Sequence, residues 1–292
     1  MRYQITHITE YHYAEPVAVC HNQVHLVPRH LPHQFCEDFR LVITPEPTDR
    51  ARRTDYFGNP VEYFSILDAH VGLTVTAVSQ VDVRIPPPRS LDSTPAWESL
   101  VRRMPQERNP NWLRAYQFAF DSAFAHRSPQ FADYARESFL PGRPILAGAV
   151  ELNERIHRDF RYDPKATELH TSVTESFDLR AGVCQDFSHV LIACLRSLGL
   201  AARYVSGYLR TDPPAGMPRL IGADASHAWA SVFCGEAGWV DLDPTNNVIP
   251  RTDHITVAWG RDYGDVCPIQ GVAVGGGRHR MSVSVDVSPW DD

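Results

Sequence analysis

Hydrophobic and polar positions alternate with a period of two over the first 85 residues. Tyr3, Ile5 and His7 alternate with polar neighbours, and so do Phe39, Leu41 and Ile43. Thr54 to Phe64 reads as two strands joined at Gly58-Asn59. Leu73, Val75, Ala77, Ser79, Val81, Val83 and Ile85 line one face of the clearest predicted strand. Residues 86–95, which open on three consecutive prolines, read as a stiff polyproline linker. The period then lengthens to that of helices. Helices are predicted over Trp97–Met104, Trp112–Phe124 and Pro144–Phe160, the last with proline at a favourable first position. Arg161 to Pro164 lead into a polar loop. A further helix follows, with Phe187, Val190, Leu191, Cys194, Leu195 and Leu198 on one face expected to be buried and Gly199 as its stop. Alternation returns at Ala202–Leu209, Ser226–Phe233, Trp239–Asp243 and Arg278–Val287, with a hairpin turn over residues 235–238. The fold class is therefore α+β. A sandwich-like all-β domain (1–85) and a linker (86–95) precede a core (96–292) with a helical insert and C-terminal strands.

Composition narrows the class. Hydrophobic residues at 43% and charged residues at 22% are ordinary for a soluble globular protein of 292 residues. The net charge of −7 argues against a nucleic-acid or anionic-membrane partner. The opening residues go straight into alternation without an apolar h-region, so no signal peptide is expected, and no run is long enough to span a membrane. Six scattered cysteines fit a reducing cytoplasm better than a disulfide framework, and without a C-x-x-C pair no metal or other cofactor is expected.

Chemistry concentrates after residue 180. Gly182 and Gly199 bracket the Cys184 helix and place Cys184 at its N-terminus, where free backbone N–H groups and the dipole favour a thiolate. His227 lies on one predicted strand and Asp243 at the end of the next. A helix packed on that sheet brings the three together as nucleophile, base and orienter. Each has a plainer role to weigh against this. A free cysteine is usually a packed core residue, which suits Cys194 on the apolar face. Most of the fourteen histidines must be bystanders, including the cluster His21, His25, His30 and His33. His189 is a rival base, but at five residues from Cys184 it points about 140° round the helix. Asp243 precedes a proline and suits a turn, and Asp241 is its rival two residues earlier on the same strand face. Trp229 shares a strand face with His227 and, like Trp239, is as well suited to core packing as to walling off an ion pair.

Gly-Val-Cys184-Gln-Asp, His227-Ala-Trp229 and Gly-Trp239-Val-Asp-Leu-Asp243-Pro-Thr, in that order, resemble the motifs of the transglutaminase-like superfamily of papain-like thiol enzymes. The resemblance is closest to the bacterial transglutaminase-like proteins, often described as candidate cysteine proteases. Asp55-Tyr-Phe-Gly58-Asn59 and Thr9-Glu-Tyr-His-Tyr resemble their N-terminal β-domain, and Arg261-Asp262-Tyr263 a recurring segment further on. The resemblance implies a papain-like core of helices on an antiparallel sheet, with Cys184, His227 and Asp243 as the catalytic set and Asp243 preferred to Asp241. It implies amide acyl transfer through a thioester on a peptide or protein substrate. Hydrolysis is preferred; protein-glutamine γ-glutamyl transfer is one alternative, and a binding protein with a vestigial triad is another. The backbone N–H of Cys184 is expected in the oxyanion hole, with an upstream side chain such as Tyr162 as a second donor.

Overall fold

A computed structural model describes residues 1–86, 90–211 and 225–290, so residues 87–89 of the expected polyproline linker lie outside the described residues. The first five strands are β1 (Arg2–Val24), β2 (Gln34–Thr44), β3 (Asp49–Thr54), β4 (Pro60–Ile66) and β5 (His70–Val83). Next come α1 (Trp97–Arg103), α2 (Pro110–Tyr116), α3 (Pro129–Arg136), α4 (Ile145–Asp159), β6 (Arg161–Tyr162), α5 (Val173–Leu179), β7 (Ala181–Gly182) and α6 (Cys184–Ser197). The chain continues through β8 (Ala202–Leu209), β9 (Ala225–Phe233), β10 (Trp239–Leu242), β11 (His254–Gly260), α7 (Tyr263–Val266), β12 (Ile269–Gly275) and β13 (His279–Pro289). Among the described residues no helix is long and apolar enough to cross a membrane.

The long strand β1 is the axis of a seven-stranded antiparallel sheet. Along one edge, β5 pairs with its first half and β4 with its second. Along the other edge, β13 pairs with Tyr3–Tyr13 and β12 with Val17–Val24. Pairing of β1 slips between His12 and Val17, and opposite that point Gly275, Gly276 and Gly277 all have positive φ. Only glycine adopts that conformation cheaply three times running, so the sheet bends there. Val17, Val24, Phe64 and Ile66 of one half then pack with Leu41, Ile43, Leu73, Val75 and Ala77 of the other. The face predicted for β5 is buried from Leu73 to Val83, while Ile85, beyond the strand, is 68% exposed.

The C-terminal strands differ from expectation. Residues 269–289 do not belong to the sheet of the core, as a core over 96–292 would have them, but complete the N-terminal sheet. The reason is the second edge of β1, a row of unpaired N–H and C=O groups that only another strand satisfies.

The core sheet has the order β10-β9-β8-β11. Helix α6 packs on β8 and β9, and α3, α4 and α5 pack around it. Two of those helices, α3 and α5, lie in stretches the hydrophobic pattern leaves as loop, and the second predicted helix stops at Tyr116. In consequence α6 is buried on all sides from Asp186 to Arg196, not on one face. Its polar residues are satisfied inside: Arg196 donates to the carbonyls of Phe118, Ala125, Ala202 and Arg261 and to Ser122 Oγ. Gly199 at φ 82° ends the helix as expected, its N–H on Arg196 O and that of Leu200 on Leu195 O.

The bent sheet docks on the core by specific polar contacts. Asn59 donates to Trp259 O and accepts from Trp259 N, at 2.9 and 3.0 Å, while Asp55 holds the turn by accepting from Phe57 N and Asn59 N. This is the physical role of the Asp55–Asn59 segment. Arg261-Asp262-Tyr263 has a similar one: Asp262 caps α7 and accepts from Phe124 N, and Arg261 pairs with Asp265.

Candidate active site

Cys184 is the first residue of α6 and is partly buried. What fixes that end of the helix is Asp186, the last residue of the Gly-Val-Cys184-Gln-Asp motif. It is buried and accepts from Val183 N at 2.8 Å, Ser176 Oγ at 3.0 Å and Thr167 Oγ1 at 2.7 Å. Gly182 is required beside it, because a Cβ there would collide with the Asp186 carboxylate. The short parallel pair β6–β7 sets Tyr162 opposite Gly182, two residues ahead of Cys184.

His227 and Asp243 meet on the core sheet. His227 lies on β9, and Asp243 follows β10 in a turn that Val248 closes by a backbone bridge. The two oxygens of Asp243 have separate tasks. Oδ1 accepts from Thr245 N at 2.9 Å and Asn246 N at 3.2 Å, so the Asp-Pro-Thr-Asn turn holds the carboxylate. Oδ2 faces the imidazoles: His227 Nε2 lies 2.7 Å away and His254 Nε2 2.9 Å away, with Asn246 Nδ2 at 2.7 Å. Asp243 is thus both the turn residue and the histidine partner, the two roles weighed from sequence. From below, Asn153 of α4 donates to Asp243 O.

The electrostatics follow from these bonds. Burial works against charge on Asp243, but donors from His227, His254 and Asn246 hold its carboxyl far below the usual range. Burial likewise works against an imidazolium at His227. Hydrogen bonds and opposite charge from Asp243 and Cys184 outweigh it and push the pKa up to about 10. With an ionised carboxylate at Oδ2, both histidines present Nε2–H to it. Nδ1 of His227 is left for the thiol.

The rivals are placed elsewhere. His189 is buried, accepts from Tyr263 N at 3.2 Å and stacks on Phe124, and burial lowers its pKa to about 4. Asp241 accepts from Trp229 Nε1 at 3.1 Å. Trp229 is fully buried against Gly207, with its ring centroid 6.1 Å from that of His227 and 5.3 Å from that of His254. His254 is the residue sequence reading missed: at the start of a predominantly apolar strand it carries no motif, and only pairing of β11 with β8 brings it here. Among the described residues, His227, Asp243 and His254 also form the group whose ligand atoms, within 4.8 Å of one another, have the spacing of a metal site. Nitrogens that carry protons toward a carboxylate are donors rather than ligands, so a metal would have to displace both.

Residues 3–82 match the bacterial transglutaminase-like N-terminal region, and residues 132–244 match the transglutaminase-like superfamily. The second match contains Cys184, His227 and Asp243. The uncharacterized protein Rv2569c of Mycobacterium tuberculosis is 42% identical over 99% of this chain and 93% of its own length. A protein-glutamine gamma-glutamyltransferase of Pseudomonas aeruginosa is 31% identical over 56% of this chain, but only 22% of its own. A Cytophaga hutchinsonii structure described as a candidate cysteine protease superposes with a TM-score of 0.76, at 19% identity, over 100% of this chain and 92% of that one, a likeness of fold. With both regions in order and a relative matched along nearly the whole of both chains, the chain belongs to the bacterial transglutaminase-like proteins of the transglutaminase-like superfamily.

Proposed function

We propose that this protein is a cysteine-dependent amide acyl-transfer enzyme that hydrolyses peptide or amide bonds, with Cys184, His227 and Asp243 as its triad. The observation that carries the reading is a buried histidine bonded through Nε2 to an ionised carboxylate, with Cys184 among the groups that raise its pKa. In this mechanism His227 Nδ1 takes the Sγ proton and the thiolate attacks the carbonyl carbon. The tetrahedral oxyanion faces the backbone N–H of Cys184, and Tyr162 is suited to supply a second donor. His227 returns the proton to the leaving amine, and a thioester remains on Sγ. Water, deprotonated by His227, then attacks the thioester, releases the acid and restores the thiol. Throughout, Asp243 fixes the tautomer and stabilises the imidazolium, itself supported by His254.

Water as acceptor is supported by the open side of the site, where Cys184 is only partly buried and Tyr162 is 55% exposed. A lysine amine attacking the same thioester is the second reading, favoured by the Pseudomonas relative. Six cysteines scattered along the chain without close pairs support a reducing, cytoplasmic setting.

Iodoacetamide labelling with intact-mass readout from about pH 5 to 9 tests the triad. Cys184 should react selectively near pH 6, at least about tenfold faster than the other cysteines, and lose that advantage in His227→Ala. Equal reactivity of all six cysteines would leave a binding protein as the better description. Incubation of casein with and without a fluorescent primary amine then separates the acceptors. Cleavage without labelling supports hydrolysis, and labelling without cleavage supports the transferase.

A further inference from the structure

A cavity of about 1600 Å³ lies between the bent sheet and the outer face of the core sheet. Neither Cys184 nor His227 lines it, so it is separate from the proposed nucleophile. Its walls are aromatic and basic. Trp112, Trp229, Trp239 and Trp259 face it, together with Arg29, Arg84, Arg114, Arg203 and Arg251. Three carboxylates also line it, and the protein engages each: Asp55 with His25 and Asn59, Glu236 with Arg103, and Asp241 with Trp229 Nε1. Arg84 in turn pairs with Asp82, and Asp241 keeps its charge toward Arg203, so the lining's positive excess is that of five arginines over three carboxylates.

Arg203 is the centre of this arrangement. It is 8% exposed, and its guanidinium lies 3.7 Å from the ring centroid of Trp259 and 4.3 Å from that of Trp239. Its Nε has no hydrogen-bond partner; Asp241 of the same lining attracts it electrostatically, but among the described residues no carboxylate comes within salt-bridge distance. Arg29 covers Trp259 at 3.5 Å, and its own Nε is likewise buried without a partner. A guanidinium held by ring faces keeps its N–H edge free, and that planar edge matches a carboxylate or phosphate bidentately. Burying such a charge without an acceptor is costly, and the same cost favours an anionic occupant. The volume exceeds that of a single ion and suits an organic body against the tryptophans.

We infer that this cavity is a binding site for an organic oxyanion, a carboxylate or phosphate on an apolar or aromatic body, with Arg203 as its anchor. His254 forms part of the wall, so an occupant also touches the imidazole that bonds to Asp243.

Four of the six tryptophans line the site, so intrinsic fluorescence of the full chain reports it. Phenylacetate and phenyl phosphate should each produce a saturable change. The neutral isostere phenylacetamide should bind at least about tenfold more weakly. Whichever anion saturates at lower concentration identifies the headgroup as carboxylate or phosphate. Arg203→Gln should weaken both at least about tenfold, with Arg203→Lys between it and wild type. Should Arg203→Gln fail to fold, quenching of the wild-type protein serves instead: iodide should quench more than caesium, and phenylacetate should protect. No saturable response from wild type, equal binding of phenylacetamide, or a folded Arg203→Gln protein with unchanged binding would overturn the assignment. Cys184 labelling plays no part in these readouts, so failure here and failure of the acyl-transfer reading are distinguishable.

Discussion

Two pockets on either side of the first turns of α6 each bury a histidine, and they treat it oppositely. Around His189 the neighbours are the rings of Phe124 and Tyr204 and one backbone N–H, and the pKa falls to about 4. Around His227 the neighbours are Asp243 and Cys184, and the pKa rises to about 10. Burial is nearly the same, so burial alone does not make a base. A ring wall keeps an imidazole neutral, whereas an ionised carboxylate on one nitrogen and a sulfur that accepts the proton as thiolate on the other let it carry charge inside the protein. The first histidine is part of the packing and the second is poised to exchange protons.

Replacing each histidine by glutamine breaks the comparison most sharply. His227→Gln should reduce Cys184 alkylation near pH 6 by at least about tenfold, and His189→Gln should leave it within about twofold. Stability should respond in opposite pH windows. The raised pKa of His227 means the folded state binds the extra proton between about 6.5 and 10, so its contribution is complete below 6.5 and lost as pH rises through about 10. The lowered pKa of His189 means the unfolded state binds the extra proton between about 4 and 6.5. Its neutral burial therefore destabilises the fold as pH falls through that window. Urea midpoints across pH should lose the alkaline slope in His227→Gln, and the acid slope should become shallower in His189→Gln, where His7, lowered to about 4 by burial, keeps its own share. The same slopes in both variants would refute the assignment.

Sequence carried one of these pockets far better than the other. Gly182, Cys184 and Gly199 mark helix ends by backbone chemistry, while His227 falls on a strand and Asp243 just past the end of the next, strands whose alternation is local; both sets are therefore legible in order. His254 is not. It depends on β11 pairing with β8, a contact between segments about 50 residues apart that no local pattern encodes. The Cys184 motif contains Asp186, but its task does not show locally, because its partners Thr167 and Ser176 lie 19 and 10 residues away along the chain. Missing α3 and α5 has a different root: at eight and seven residues they offer only about two turns of the period, although Phe131, Ala132, Tyr134 and Ala135 of α3 do share a buried face. For the C-terminal strands, alternation revealed a strand but not which sheet receives it.

His254 refines the comparison by asking how much of the His227 environment depends on a second donor to Asp243. His254→Leu removes the donor at 2.9 Å and keeps most of the volume. Asp243 retains His227 and Asn246 but becomes less acidic, and a hydrogen bond to a charged group is worth about 1.5–3 kcal/mol. Still ionised, the freed Oδ2 is a stronger acceptor, so His227 should titrate higher if it moves at all, while looser placement of the carboxylate should slow Cys184 alkylation near pH 6 by about three- to tenfold. Glutamine, whose amide can still donate, should recover most of that rate. A purely packing role would show no recovery and no shift of the pH profile.

The smallest effect expected is at Trp229, where stability and reactivity should separate. Its Nε1–H donates to Asp241 Oδ2 at 3.1 Å, and its ring packs against Gly207 between the two imidazoles. Trp229→Phe keeps an aromatic wall beside His227 but removes the donor and part of the volume. The lost hydrogen bond and the gap together should cost about 1–3 kcal/mol. In a chain of this size each kcal/mol lowers the melting temperature by about 2–4 °C. Asp243 keeps all its donors in this variant, so the alkylation profile of Cys184 should stay within about twofold of wild type. A fall in reactivity as large as that of His254→Leu would mean that the indole sets the position of His227 through packing alone. The carboxylate would then no longer account by itself for the difference between the two pockets.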